Sequence, residues 1–135
     1  MFISTGINDS PVITGKAASQ MANAAFYAAK FDNNGNIARA GKGENAIGLF
    51  IATTPELVNA GDDVTVQIKD IGLWITGEAV AAGAELTSDA NGAAVTPEQG
   101  DYVTAIALEA ATDAGQVIKV QIVKSGKMPA TQTTE

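Results

Sequence analysis

The sequence predicts an all-β fold, a small β-barrel or sandwich with little helix, built from two fused, sequence-similar halves. Three observations predict it. Ala60-Gly61 leads into Val64-Thr65-Val66-Gln67-Ile68 and closes at Gly72, and Ala114-Gly115 leads into Ile118-Lys119-Val120-Gln121-Ile122 and closes at Gly126, a constant offset of 54 residues. Self-similarity of that length marks a duplicated supersecondary unit. Apolar and polar residues alternate through these segments, the period of a half-buried strand. Turn signals also return at short intervals, among them Asn34-Gly35, Gly41-Lys42-Gly43, Ala82-Gly83 and Asn91-Gly92, the rhythm of a sandwich or small barrel.

Taken in order, each half opens with an I-T-G strand. Val12-Ile13-Thr14-Gly15-Lys16-Ala17 matches Trp74-Ile75-Thr76-Gly77-Glu78-Ala79 at an offset of 62, which sets Trp74 in the place of Val12. The alanine-rich stretch from Lys16 to Lys30 favours helix on propensity. Its counterpart, Glu78 to Thr87, is too short and turn-like for one, so the expectation is a strand, a loop or single helical turn near Ser19 to Ala24, and a strand from Phe26 to Phe31. Asp32-Asn33-Asn34-Gly35 matches Asp89-Ala90-Asn91-Gly92 at an offset of 57, and Asn-Gly is the preferred pair for a type I′ hairpin with both residues at positive φ. The apolar run Leu49-Phe50-Ile51 matches Ile106-Ala107-Leu108, again at 57, and the V-x-V-Q-I strand closes each half. The first half carries extra residues in two places, between Ala18 and Tyr27 and from Thr53 to Asn59. The domain plan is an N-terminal arm (1–11), one β domain (12–126, halves 12–72 and 74–126) and a polar, flexible C-terminal tail (127–135).

Composition narrows function by exclusion. The chain of 135 residues has no cysteine and no histidine, so disulfides, thiolate catalysis and the commonest general base and metal ligand are missing together. A net charge of −7 opposes binding to a phosphate backbone, which rests on clustered Lys and Arg; no nucleic-acid partner is expected. Nothing approaches the roughly 18 apolar residues of a membrane span, and Met1 to Gly6 lacks the layout of a secretory signal; synthesis in the cytoplasm and no membrane partner are expected. Asp32 to Gly43 fails as a calcium loop, because glycine stands at position 4 and again at position 12, where a bidentate Glu belongs. Gly41-Lys42-Gly43 lacks the rest of a phosphate loop. Most carboxylates fall in turns, where solvated charge is ordinary. The expectation is a protein that is not an enzyme, with no catalytic residue, cofactor or metal.

Contact residues are then sought where symmetry breaks or apolar residues lack an intramolecular counterpart. Phe2, Ile3, Ile7 and Val12 precede or open the first repeat, and Pro55, Glu56 and Leu57 lie in the Thr53 to Asn59 insertion. Trp74, the single tryptophan, reads either as a core plug or as a contact anchor, since Trp is enriched at interface hot spots.

The series I-T-G-K-A-A, F-Y-A-A-K-F-D-N-N-G-N-I, G-x-G-E-N-A-I-G-L, A-G-D-D-V-T-V-Q-I-K-D-I-G and A-G-A-E-L-T-S-D-A-N-G-A-A-V resembles the small capsid decoration, or cement, proteins of tailed bacteriophages over about residues 12 to 126. The resemblance implies a structural protein of the virion that binds the outer capsid surface, clamps neighbouring subunits of the major capsid protein, assembles as a homo-oligomer, with a trimer favoured, and brings no catalytic residues. The alternative is a β-barrel module for carbohydrate or another host-surface ligand, as in head fibres or adhesins. Tyr27, Trp74 and Tyr102 are the aromatics it could draw on.

Overall fold

The structure, a computed structural model, describes residues 10–129. The described residues contain twelve strands and no helix: β1 (Val12–Lys16), β2 (Met21–Ala22), β3 (Ala28–Phe31), β4 (Ile37–Arg39), β5 (Gly48–Phe50), β6 (Leu57–Val58), β7 (Asp63–Gln67), β8 (Asp70–Ile75), β9 (Glu85–Ser88), β10 (Ala94–Val95), β11 (Tyr102–Ala107) and β12 (Val117–Lys127). They form a five-stranded sheet in the order β1-β7-β5-β3-β4, a second in the order β10-β9-β11-β12-β8, and a ribbon of β2 and β6. All ladder pairs are antiparallel. Each large sheet draws its strands from one half of the chain, and the two orders agree position for position. Each also curls until its two edge strands meet, β1 with β4 and β8 with β10, through single parallel bridges between Ala17 and Ile37 and between Thr76 and Ala94.

Registers agree as well. Ala29 faces Gly48 as Leu86 faces Ala105, and Leu49 faces Gln67 as Ile106 faces Gln121. The I-T-G match, however, is three residues out of register. Gly15 faces Val64 while Trp74 faces Ile118, and Val64 and Ile118 are themselves equivalent, so Trp74 stands in the place of Gly15, not of Val12. The exchange follows from volume. A Cβ on Gly15 would sit 2.7 Å from Ile37 Cδ1, whereas the second half has Ala94 at the position of Ile37 and room for an indole. Interiors are packed near crystal density, so glycine with isoleucine and tryptophan with alanine are two solutions to one space.

Three local expectations are corrected. The Asn-Gly hairpins are not type I′: Gly35 and Gly92 have positive φ, but Asn34 and Asn91 do not. The organiser is the aspartate, since Asp32 Oδ1 accepts from Asn34 N and Asn36 N, and Asp89 Oδ1 from Asn91 N and Ala93 N. Those bonds make a type I turn closed by a left-handed glycine, the longer-loop solution. The alanine-rich stretch forms no helical turn, and its second strand begins at Ala28, because Phe26 turns out of the extended region at φ 73. The extra residues of the first half are themselves structured. They pair with each other as β2 and β6, Met21 opposite Val58 and Ala22 opposite Leu57, and cover the first-half core.

That core gathers Ala17, Met21, Ala24, Ala29, Ile37, Phe50, Val58, Val64 and Val66. The second joins Trp74, Leu86, Ala105, Ile118 and Val120 to Ala28, Ala40, Ala46 and Leu49 of the first half, so one half completes the other. Main-chain bonds stitch the seam: Ala28 N donates to Gly92 O (2.9 Å), Ile75 N to Phe26 O (2.9 Å), Gly43 N to Ser88 O (2.8 Å) and Tyr102 N to Gly43 O (3.0 Å). The ladder continues later than the sequence suggests. Lys127, placed in the tail by sequence, faces Tyr102, and Met128 N donates to Asp101 O.

Candidate functional site

No helix among the described residues is long and apolar enough to cross a membrane. None of their His, Cys, Asp or Glu side chains gather in threes to hold a metal. What the described surface offers is apolar area. Of its exposed large hydrophobic side chains, Ile71, Leu73, Leu108 and Val117 lie on one face of one sheet. Alternation puts them there: β8 turns Gly72 and Trp74 inward, so Ile71, Leu73 and Ile75 point out. Across the ladder Ile75 faces Val117, Leu73 faces Lys119, and Ile71 faces Gln121, which faces Ile106 in turn. Leu108 N donates to Lys119 O, placing Leu108 in the middle row. Lys119 is the one cation inside the patch. Contiguous apolar surface with a sparse polar content marks an interaction site more often than single exposed side chains do.

Beside this face, along β8, runs a groove at the seam between the halves. One part, of about 250 Å³, is lined by Phe26, Leu49, Phe50, Ala52, Gly72 and Leu73 among others. The next, of about 370 Å³, shares Phe26 and Ala52 and ends at Asn23, Glu56 and Ile75. Phe26 separates them in a left-handed conformation that a bulky residue rarely adopts. It is held by its own main chain, with Phe26 N donating to Phe50 O (3.0 Å) and Phe26 O accepting from Ile75 N. Backbone strain of this kind concentrates at binding sites.

The sequence candidates fall unevenly. Val12 is half-buried on the edge strand β1, opposite Gln67 at the end of the groove. Glu56 is on the groove rim, Leu57 is 54% exposed beside it, and Pro55 is exposed and lines a separate shallow pocket with Thr53 and Thr65. Trp74 is not at the surface at all: its exposure is 0% and its Nε1 donates to Gly92 O at 2.9 Å. It is the core plug, because the position it shares with Gly15 points into the barrel. Phe2, Ile3 and Ile7 lie outside the described residues. Sequence reasoning missed Ile71, Leu73, Leu108 and Val117. The available signal was the outward register of the very strands that defined the repeat.

Away from the groove the seam is polar. Lys42 Nζ meets Glu98 (3.0 Å) and Asp101 (3.8 Å) across it, and the hydrogen bond that Lys42 donates to Glu98 raises the Lys42 pKa. Lys30 and the Gly41 amide hold the Glu44 carboxyl below its ordinary range. Lys124 reaches from β12 to Asn45 Oδ1 and the Ala46 carbonyl, and burial pushes its pKa down. The Lys42 and Lys124 contacts fasten the halves, the Glu44 contacts brace the first half beside them, and all leave the apolar side unencumbered.

The described residues form a small all-β body with exposed apolar side chains gathered on one face of one sheet. The chain belongs to the phage cement protein family, whose model matches residues 11–122, and is a structural phage protein associated with the capsid. Its fold resembles the crystal structure of the head fiber gp8.5 N base of bacteriophage phi29, with a TM-score of 0.62 and 21% identity over 88% of this chain and 98% of that one. No curated protein sequence matches it.

Proposed function

We propose that the protein decorates the outside of the phage shell and stabilises contacts between major capsid protein subunits, acting as a homo-oligomer, with a trimer favoured, and without catalysis. The observation that carries this reading is the family membership. The apolar face of β8, β11 and β12 supplies the physical means. Interfaces of standard size bury about 800 Å² per partner with an apolar centre, and this face is an apolar centre with polar surroundings. Glu56 and Leu57 extend it along the groove rim. The carbohydrate-module alternative needs exposed aromatic platforms, and here Trp74 is buried while Tyr27 lies under Arg39 at 4.2 Å.

Co-sedimentation with capsids lacking the protein tests the reading. The wild-type chain is expected to pellet in saturable, roughly stoichiometric amounts. A Leu73→Glu/Val117→Glu variant is expected to remain in the supernatant while keeping its urea midpoint, because both side chains are solvent-facing. Wild-type protein that stays soluble beside undecorated capsids would refute the proposal.

A further inference from the structure

The first half docks on the second through one face of its sheet, and the second half presents the equivalent face bare. Ala28 and Leu49 enter the second core, where a Cβ on Gly72 would sit 3.2 Å from Leu49 Cδ1. At the equivalent positions Glu85 is exposed and Ile106 half-buried, and neither joins a core. On the same face as Ile106 lie Ile71, Leu73, Leu108 and Val117. Lys119 stands in the middle row, between Leu73 and Leu108. Its side chain is exposed and forms no ion pair among the described residues.

The first-half core is closed by other means. The β2–β6 ribbon, drawn from the extra residues of the first half, turns Met21 and Val58 into that core and Ala22 and Leu57 outward. Leu57 is 54% exposed, and Glu56 beside it is exposed and likewise forms no ion pair among the described residues. The ribbon therefore shows an apolar side chain flanked by a free carboxylate. That is the complement of an apolar face with a free cation at its centre.

We propose that the apolar face of one copy docks on the β2–β6 ribbon of a second copy, with Leu57 against Leu73 and Val117, and Glu56 against Lys119. Two different surfaces meet, so the contact is head-to-tail: each copy gives its face to one neighbour and its ribbon to the other, and a ring results when the rotation closes. Pairing face on face about a two-fold axis would set Lys119 against Lys119, and like charges juxtaposed at an interface are costly. The second copy thus covers the sheet face of the second half, as the second half covers that of the first within one chain. The inference rests on the homo-oligomer of the proposed function and not on capsid binding, so it is tested on the free protein, where self-association and pelleting with capsids fail separately.

Light scattering on a sizing column, over a range of protein concentrations, reads the contact. The wild-type chain is expected to elute with the mass of three chains. Lys119→Glu and Glu56→Lys are each expected to raise the concentration needed for half-assembly by about tenfold or more, and the Lys119→Glu/Glu56→Lys double variant is expected to bring it back towards wild type. Because Glu56 and Lys119 form no ion pair within one chain, such a rescue reports a contact between copies. A folding defect at one exposed site would not be repaired by a change at the other, and urea midpoints equal to wild type check folding separately. Wild-type protein that stays monomeric, single variants that assemble as well as wild type, or a double variant no better than the singles would each overturn the proposal. A wild-type dimer would overturn the head-to-tail ring.

Discussion

The carbonyl oxygen of Gly92 accepts two donors, Trp74 Nε1 from within its own half and Ala28 N from the other. One atom therefore ties the largest core side chain to the seam. Trp74→Ala removes an indole with no solvent exposure, and is expected to cost about 3–5 kcal/mol. Trp74→Phe keeps most of the volume and leaves Gly92 O bonded to Ala28 N, so about 1–2 kcal/mol is expected. Urea unfolding followed by far-UV circular dichroism measures both, and equal losses would mean that the indole N–H, not packing, dominates. Glu44 is a second residue whose partners set a measurable property. Its carboxyl is held low first by Lys30 and then by the Gly41 amide, so its contribution is present above the unfolded-state pKa and fades as pH falls through the folded one. The pair is partly exposed, at 29% and 42%, and screening keeps the effect small. Glu44→Gln is expected to flatten the fall of the urea midpoint below about pH 4 while lowering it slightly at pH 7; an acid limb as steep as wild type would assign the acid sensitivity elsewhere.

At the scale of elements, the two D-x-N-G hairpins are the same device in different surroundings. Gly35 and Gly92 have φ of 80 and 87, yet a Cβ on Gly35 meets open space while one on Gly92 meets Arg39 Cγ at 2.9 Å and Ala40 O at 3.1 Å. Gly35→Ala should cost only the left-handed penalty, about 1–2 kcal/mol. Gly92→Ala should cost that plus the crowding of a packed contact, about 1–3 kcal/mol more. Comparing the two midpoints measures the seam at a single position, and similar losses would show that the second hairpin is not pressed against the first half. The same hairpins mark how far sequence could reach. Strand existence, the 54- and 57-residue offsets and the final strand of each half were readable because alternation and turn glycines are local signals. The turn type was not, because Asn-Gly suits several turns and Asp32 and Asp89 decide between them through bonds two and four residues on. The β2–β6 ribbon was hidden for another reason: it pairs two distant insertions, Met21 with Val58 and Ala22 with Leu57, and neither is long enough to show a period. The I-T-G strings misled because β1 and β8 slide by three residues, and side-chain volume, not identity, fixes register there.

Across the whole molecule the apolar face and the seam explain each other. The first half buries Ala28, Ala40, Ala46 and Leu49 against the second, whereas the equivalent positions in the second half carry Glu85, Pro97, Val103 and Ile106. The face that closes the molecule in one half is thus partly polar in the other, and this asymmetry leaves Ile106 on the same sheet face as Ile71, across Gln121, for an outside partner. It also predicts how the chain unfolds. If the second-half core needs four side chains of the first, the two sheets cannot melt separately, and a domain of this size is expected to lose structure in one step. Trp74 fluorescence reports on the core that the second half completes with the first, while far-UV circular dichroism reports on every strand. The two probes are expected to give one urea midpoint and one slope, since the slope scales with the surface exposed on unfolding. A fluorescence transition displaced from the dichroism transition would mean that each curled sheet is stable alone, and that the seam bonds at Phe26, Ala28 and Gly43 join two finished domains instead of completing one.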